Sequence, residues 1–145
     1  MLREIAISDA YGAGFEFAPR EKVTLKNDLS AFQFHELYKT KGKYTDDTQL
    51  SIAVGETLLK HELPSKEDFA QQFVECFQRD PREGYSTGFY EILKSSNSGQ
   101  DLIRTLNSNS QRNGAAMRSV PIGYLKSIEK TRKEMGSSKK IYENI

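Results

Sequence analysis

Apolar positions recur at helical spacing in two long segments of the chain, which indicates that helices form most of the fold. In the first segment, residues 46–61, the apolar face repeats at i, i+3, i+4, i+7 and i+8, a spacing that predicts an amphipathic helix. Thr45 is placed to cap this helix, and Asp46 and Asp47 occupy its first turn, where the helix dipole favours negative charge. The face consists of Leu50, Ala53, Val54, Thr57 and Leu58.

The second long segment, residues 66–79, is also predicted to be an amphipathic helix. Ser65 and Asp68 have the spacing of a capping box at its N-terminus. Three aromatic residues lie four positions apart and therefore share one face of the helix. They are Phe69, Phe73 and Phe77.

Shorter helices are predicted on both sides of these two. Residues 2–13 place apolar side chains on one face of a short N-terminal helix. Two brief helices are expected over residues 86–94 and 99–106, with loop-like sequence rich in Ser, Asn and Gly around them. Residues 114–134 could form a last helix, which Pro121 must break or kink.

Residues 17–43 lack helical periodicity, and we expect an irregular segment there. Only residues 23–25 and 32–34 show a weak alternation of apolar and polar positions. A connection this long inside a compact domain is usually functional or disordered. His35 is most simply a loop histidine, and His61 is most simply a surface cap at a helix end.

Length and charge narrow the classes of protein that fit. A chain of 145 residues favours one domain. Lys and Arg number 21 and Asp and Glu number 20, so the net charge of +1 favours neither a nucleic-acid partner nor a membrane surface. Hydrophobic residues make up 37% of the chain, and this low share predicts a thin core.

Two further features of the sequence exclude other classes. There is no run of about 18 apolar residues, so no transmembrane helix is expected, and early charged residues disfavour a signal peptide. We therefore expect a cytoplasmic location. Cys76 is the single cysteine, which excludes an internal disulfide, and its apolar neighbours predict a buried, unreactive thiol.

The sharpest local feature is the sequence Thr45-Asp46-Asp47-Thr48 at the start of the first long helix. Two adjacent carboxylates with hydroxyl groups are hard oxygen ligands of the kind that Mg²⁺ or Mn²⁺ prefers. Plain capping of the helix N-terminus explains the same residues. The motif alone leaves both interpretations open.

Three more segments combine small residues with polar groups. Residues 9–16 place two carboxylates around small residues, which either let backbones approach closely or simply end a helix. Residues 84–89 carry hydroxyl groups that could contact a sugar or cap the next helix. Residues 113–123 offer backbone N–H groups that could bind phosphate, or alanines that pack helices together, and Arg118 could pair with an anion.

The order of these four segments along the chain resembles the ADP-ribosylglycohydrolase family. The resemblance covers about residues 1–128, and the strings Thr-Asp-Asp-Thr at 45–48 and Asn-Gly-Ala-Ala-Met-Arg at 113–118 are specific in combination. It implies an all-α helical bundle that binds two divalent cations, usually Mg²⁺ and in some members Mn²⁺. It also implies a hydrolase that cleaves ADP-ribose from a protein side chain or from an ester.

The resemblance also assigns roles to residues of this chain. Thr45, Asp46 and Asp47 are implied metal ligands, and Glu16 is the implied acidic residue beside the reacting ribose. The implied substrate-binding residues are Ser86, Gly88, Asn113, Gly114 and Ala115. ADP-ribose or an ADP-ribosylated protein is the implied partner.

Three departures from the family pattern are present. Ser8 and Arg112 stand where the family prefers Gly and a small residue, and the family's later Asp-x-Asp-Thr-like ligand motif has no counterpart here. We therefore expect residues 1–145 to be the N-terminal portion of one such domain, an incomplete bundle, with 129–145 a frayed or divergent tail. Tight binding of two metal ions would then require a complementing chain, and an open face could also pair with a second copy.

Three hypotheses about function follow. The chain is a Mg²⁺-dependent ADP-ribosyl hydrolase, with or without a complementing chain. Alternatively, it is a truncated, catalytically inactive remnant that binds ADP-ribose-like ligands or a partner. Without the resemblance, it is a small helical interaction module that exposes the phenylalanine face of residues 69–77.

Overall fold

The computed structural model describes residues 1–106 and 114–124, and this part of the chain is all-α apart from one small hairpin. The predicted fold class is therefore confirmed. The helices are α1 (Leu2–Ala13), α2 (Arg20–Lys26), α3 (Asp46–Lys60), α4 (Lys66–Arg79), α5 (Thr87–Ser95), α6 (Gly99–Thr105) and α7 (Gly114–Met117). A 3-10 helix follows at Val120–Tyr124, and the hairpin pairs β1 (Phe34–His35) with β2 (Thr40–Lys41).

The core lies where α4 packs between α3 and α6. The aromatic face of α4 is buried there, and the helix begins with the predicted capping box between Ser65 and Asp68. Tyr85 and Tyr90 each meet the ring of Phe77 edge-on. The largest fully buried apolar side chains are Phe69, Phe73, Leu93, Leu102, Val54 and Val74.

Burial of this face overturns the third hypothesis. The exposed fractions of the Phe69, Phe73 and Phe77 side chains are 2%, 1% and 4%, so they cannot form a docking surface. The short elements that follow α4 cover the aromatic face, and sequence periodicity alone does not show which element will cover it. Cys76 is buried in the same helix, and burial raises the pKa of its thiol to about 11, as expected for an unreactive cysteine.

The segment 17–43 is more regular than the sequence predicts. Helix α2 occupies Arg20–Lys26, including the positions where a weak strand alternation was expected. None of its residues is buried, which explains why no apolar periodicity marks it. Lys22 Nζ donates a hydrogen bond of 2.7 Å to the Phe34 carbonyl and so ties α2 to β1.

The end of the described chain also differs from the single kinked helix predicted for 114–134. Helix α7 already ends at Met117, and Pro121 lies inside the 3-10 helix that follows. The predictions for Asn113, for residues 125–134 and for the tail at 129–145 lie outside the described residues. Within 1–106 and 114–124, no helix combines the length and apolar character needed to cross a bilayer.

Candidate active site

A cavity of about 860 Å³ opens where the end of α1, the start of α3, the loop before α5 and helix α7 come together. Segments far apart in sequence meet here, because α1 and α3 pack against each other. Gly88 does not line the cavity, and Asn113 lies outside the described residues. The other predicted site residues all line it, namely Glu16, Thr45, Asp46, Asp47, Ser86, Gly114 and Ala115.

The carboxylate of Asp9 joins α1 to the N-terminus of α3. Its Oδ2 accepts hydrogen bonds from the backbone N–H groups of Thr45 (2.8 Å) and Thr48 (3.2 Å). The hydroxyl groups of the same two threonines donate to Asp9 at 2.7 and 2.5 Å. An acidic side chain from another helix therefore does the capping that the sequence assigned to Thr45, whose own side chain makes no cap hydrogen bond.

Gly84 holds the loop before α5 against the first turn of α3. The backbone N–H of Asp46 donates a 2.9 Å hydrogen bond to the carbonyl of Glu83. Gly84 has a φ of +107°, and a Cβ added at this residue would overlap Asp46 Oδ1. The carboxylate of Asp46 thus lies directly against the glycine backbone, which only a residue without a side chain permits.

Gly84→Ala is expected to lower the free energy of unfolding by about 1–3 kcal/mol, because alanine is strained at this φ and its methyl group displaces the Asp46 carboxylate. Urea denaturation measures the effect. Gly88→Ala is the matched control, since a Cβ at this helical glycine meets nothing within 4 Å and alanine favours the helix. Equal stability of the two variants would contradict the strain at Gly84.

The carboxylates of the cavity repel one another. Burial, followed by the charge of Asp47, raises the pKa of Asp46 to about 7, with further contributions from Asp9 and Glu16. Burial and the charges of Asp9 and Glu16 raise the pKa of Asp47 to about 6, and Arg118 opposes this shift. Bringing a cation to these oxygens would relieve the repulsion.

We expect the stability of the metal-free chain to fall by about 2 kcal/mol between pH 5 and pH 8. The folded-state pKa values of Asp46 and Asp47 lie above the ordinary value of 3.8, so between these values the folded chain holds protons that the unfolded chain has released. The stability that these two groups contribute is therefore fully present below the unfolded-state value and is lost as the pH rises through the folded-state values. Urea denaturation in EDTA measures this dependence.

Variants identify the groups responsible for that pH dependence. Asp46→Asn is expected to flatten the profile, and Glu67→Gln, which removes an exposed first-turn carboxylate of α4, is expected to leave it unchanged. Stability that increases from pH 5 to pH 8 would contradict the repulsion between the cavity carboxylates.

Glu16 lines the cavity from the segment just after α1, separate in sequence from the start of α3. Its half-exposed carboxylate lies with Oε2 3.7 Å from Nε2 of His35. His35 is buried, in contrast to the loop histidine predicted from sequence. The segment 15–44 folds so that the ring of His35 faces inward. The cavity therefore has a carboxylate wall on α3 and a second acidic wall formed by Glu16.

The rest of the cavity lining consists mainly of apolar side chains and small residues. Phe89 and Ile92 of α5 line one side, together with Leu106, while Gly114 and Ala115 present the start of α7. The described lining carries four carboxylates and one guanidinium, that of Arg118, which lies over the ring of Phe73 at 5.2 Å. The cavity thus combines an acidic end with an apolar slot.

The donor chemistry at the acidic end suits a hard divalent cation, because Asp46, Asp47 and the hydroxyl of Thr45 all offer oxygen ligands. Asp9 is already committed to the two threonines. Among the residues that the structure describes, no three His, Cys, Asp or Glu side chains form a group able to hold a metal ion. This part of the chain therefore offers a partial set of ligands.

Sequence reasoning missed three residues that shape this cavity. Asp9 and Gly84 lay inside segments singled out from the sequence, but neither was assigned a role. His35 was dismissed because its sequence neighbours form no motif. The signal for Asp9 is a carboxylate in the last turns of an amphipathic helix, where the helix dipole disfavours it, so it needs a partner elsewhere.

Comparisons with known proteins identify the family to which the chain is similar. The sequence model of the ADP-ribosylglycohydrolase family matches residues 5–141. The chain is 29% identical over 125 residues to ADP-ribosylhydrolase ARH3 of Danio rerio, an alignment that covers 79% of this chain and 33% of that protein. The chain thus spans about a third of the length of this curated relative, and no solved structure matches significantly. Because the family match extends over nearly the whole sequence, the chain belongs to the ADP-ribosylglycohydrolase family.

Proposed function

We propose that this chain carries the ADP-ribose-binding and hydrolytic site of an ADP-ribosyl hydrolase that uses Mg²⁺, with Mn²⁺ as a substitute. The observation that carries the proposal is the single cavity that collects Glu16, Thr45, Asp46 and Asp47 from two separate segments of the chain. The family match and the relative named for ADP-ribosylhydrolase activity support the same reaction class.

Thr45, Asp46 and Asp47 would hold the cation. Their oxygens are hard ligands, and burial together with the neighbouring carboxylates raises the pKa values of both aspartates, an environment in which a bound cation would favour the charged forms. When bound, the ion would orient the ribose hydroxyl groups and increase the acidity of water. A hydrated Mg²⁺ keeps several water ligands, so a partial set of protein ligands is compatible with weak binding.

Glu16 would act on the ribose. Hydrolysis breaks the bond between the anomeric carbon and the leaving group, joins the oxygen of water to that carbon and returns a proton to the leaving group. A carboxylate beside the anomeric carbon stabilises the positive charge that develops there and accepts the proton of the attacking water. The walls supplied by Ser86, Gly114 and Ala115 would contact the rest of ADP-ribose, and Gly88 and Asn113 remain proposed contacts.

Release of free ADP-ribose tests this function. The purified chain is incubated with Mg²⁺ and, in turn, with arginine-linked, serine-linked and acetyl-ester forms of ADP-ribose, and EDTA provides the metal-free control. We expect release from at least one substrate that depends on Mg²⁺. Absence of release from all three at every Mg²⁺ concentration would contradict activity of the chain on its own.

One observation favours a second candidate, a binding role without turnover. The described residues form no complete metal-binding group, so the cavity could bind ADP-ribose while a complementing chain or a second copy supplies further ligands. A thermal melt with ADP-ribose separates the two candidates. A ligand at a hundredfold excess over its Kd adds about 2.7 kcal/mol of stability, so a raised transition without turnover would favour the binding role.

A further inference from the structure

His35 is the one buried side chain between Phe15 and Tyr44, a stretch that is otherwise exposed or half-buried. An apolar residue would fill such a position at lower cost, because buried imidazole nitrogens need hydrogen-bond partners. The polar ring therefore calls for an explanation in terms of what its two nitrogens contact.

Nδ1 of His35 is fully engaged as an acceptor. The backbone N–H groups of Leu37 and Tyr38 donate to it at 3.1 and 3.2 Å, within the turn that joins β1 to β2. The Tyr38 ring stacks on the imidazole with centroids 4.0 Å apart, which fixes the ring plane. Because Nδ1 accepts, the proton of the neutral ring resides on Nε2.

Nε2 is a buried donor close to Glu16, a residue that lines the cavity. Among the described residues it has no hydrogen-bond partner, and Glu16 Oε2 lies 3.7 Å away. A movement of the half-exposed carboxylate by less than about 1 Å would bring the pair to hydrogen-bond distance. A buried donor without an acceptor is unfavourable, so the ring favours that movement.

A close backbone contact keeps Glu16 and His35 near each other. A Cβ added at Gly14 would lie 2.5 Å from the carbonyl oxygen of Gln33, so the chain just before Glu16 packs directly on the chain just before His35. The contact requires glycine at position 14. Glu16 and His35 are therefore brought together by the fold of this segment and not by a chance encounter of two long side chains.

We propose that His35 is a positioning residue for Glu16, its Nε2–H holding the Glu16 carboxylate at the cavity wall in the orientation used on the ribose. This inference rests on the proposed function for the role of Glu16. His35 itself touches neither substrate nor metal. It acts by fixing the direction of a carboxylate that is otherwise free to turn toward solvent.

Two substitutions separate the roles of the two ring nitrogens of His35. His35→Asn keeps an acceptor near the position of Nδ1 but has no donor at Nε2, whereas His35→Gln places an amide N–H near Nε2 and loses the acceptor for the turn. We expect His35→Asn to lower kcat about a hundredfold, as for a misplaced catalytic group, with KM changed less than about threefold. His35→Gln is expected to keep a kcat at least about tenfold above that of His35→Asn.

Stability is expected to rank these variants in the opposite order. His35→Asn retains the turn and should melt at a higher temperature than His35→Gln, although it is the slower enzyme. A purely structural histidine would make activity follow stability. A kcat of His35→Asn equal to or above that of His35→Gln overturns the proposal.

A measurement without turnover decides the pairing even where the chain proves inactive. Nitrogen-15 NMR of the His35 ring is expected to show an unprotonated Nδ1 and an Nε2–H whose resonance shifts in Glu16→Gln. Glu36→Gln is the matched control, because Glu36 is exposed in the same hairpin and pairs with Lys39. A wild-type chain without ADP-ribose release would refute the proposed function, whereas an Nε2 resonance unaffected by Glu16→Gln would refute the role of His35.

Discussion

Asp46→Asn is expected to reduce Mg²⁺-dependent release of ADP-ribose by about a hundredfold or more and to make the metal-free chain more stable. Loss of residues that only support a metal ligand already costs about 10- to 100-fold in activity, and Asp46 is proposed to contact the ion itself. The gain in stability follows because the substitution removes a buried charge that repels Asp47, Asp9 and Glu16.

The size of that gain at pH 8 is expected to be about 1–2 kcal/mol, after allowance for the lost interaction with the dipole of α3. Asp47→Asn should act in the same direction with a smaller gain, because its pKa is raised less. Enzyme assays and urea denaturation of the same preparations measure both effects. Glu67→Gln controls for loss of a first-turn carboxylate, and an Asp46→Asn chain that is both inactive and less stable would indicate misfolding instead.

Asp9→Ala is expected to lower the free energy of unfolding by about 3–5 kcal/mol, the largest stability effect that the site offers. The variant leaves the buried hydroxyl and N–H groups of Thr45 and Thr48 without their acceptor. It also releases the start of α3 from α1. Chemical denaturation with fluorescence or circular dichroism measures the loss.

Thr48→Val isolates one contact of this network and is expected to cost about 1 kcal/mol. In a double-mutant cycle the effects of Asp9→Ala and Thr48→Val should fall short of additivity, because the two residues share a hydrogen bond. Ser8→Ala, at the exposed neighbour of Asp9, should remain within about 0.5 kcal/mol of wild type. Additive effects at Asp9 and Thr48 would show that the carboxylate does not hold the helix start.

Sequence periodicity predicted the elements whose faces are buried. The two long helices were placed to within a residue because their apolar positions record contact with the core. Helix α2 was not predicted, because it buries no side chain and its sequence therefore lacks an apolar periodicity. The aromatic face of α4 was correctly assigned to one side of its helix, but what covers it depends on α5 and α6, which pack there from later in the chain.

The residues of the site also divide into those that a local sequence motif reveals and those whose role depends on contacts distant in sequence. The paired carboxylates Asp46 and Asp47 form a local motif and are visible in the sequence. Asp9 acts on threonines 36 and 39 residues away, and Gly84 acts on a carboxylate of another helix, so no local pattern reveals either role. His35 is buried against the hairpin turn, where Tyr38 stacks on its ring, and its sequence neighbours do not reveal this burial.

The two acidic walls of the cavity belong to parts of the chain that differ in local stability. Asp46 and Asp47 begin a helix anchored in the core. Glu16 belongs to the segment 15–44, whose one buried side chain is His35. Opening of this segment would expose little fully buried surface, so we expect its amide hydrogens to exchange with solvent through local unfolding and those of α3 to exchange only through global unfolding. One wall of the site can therefore be released and reformed many times within the lifetime of a single folded molecule.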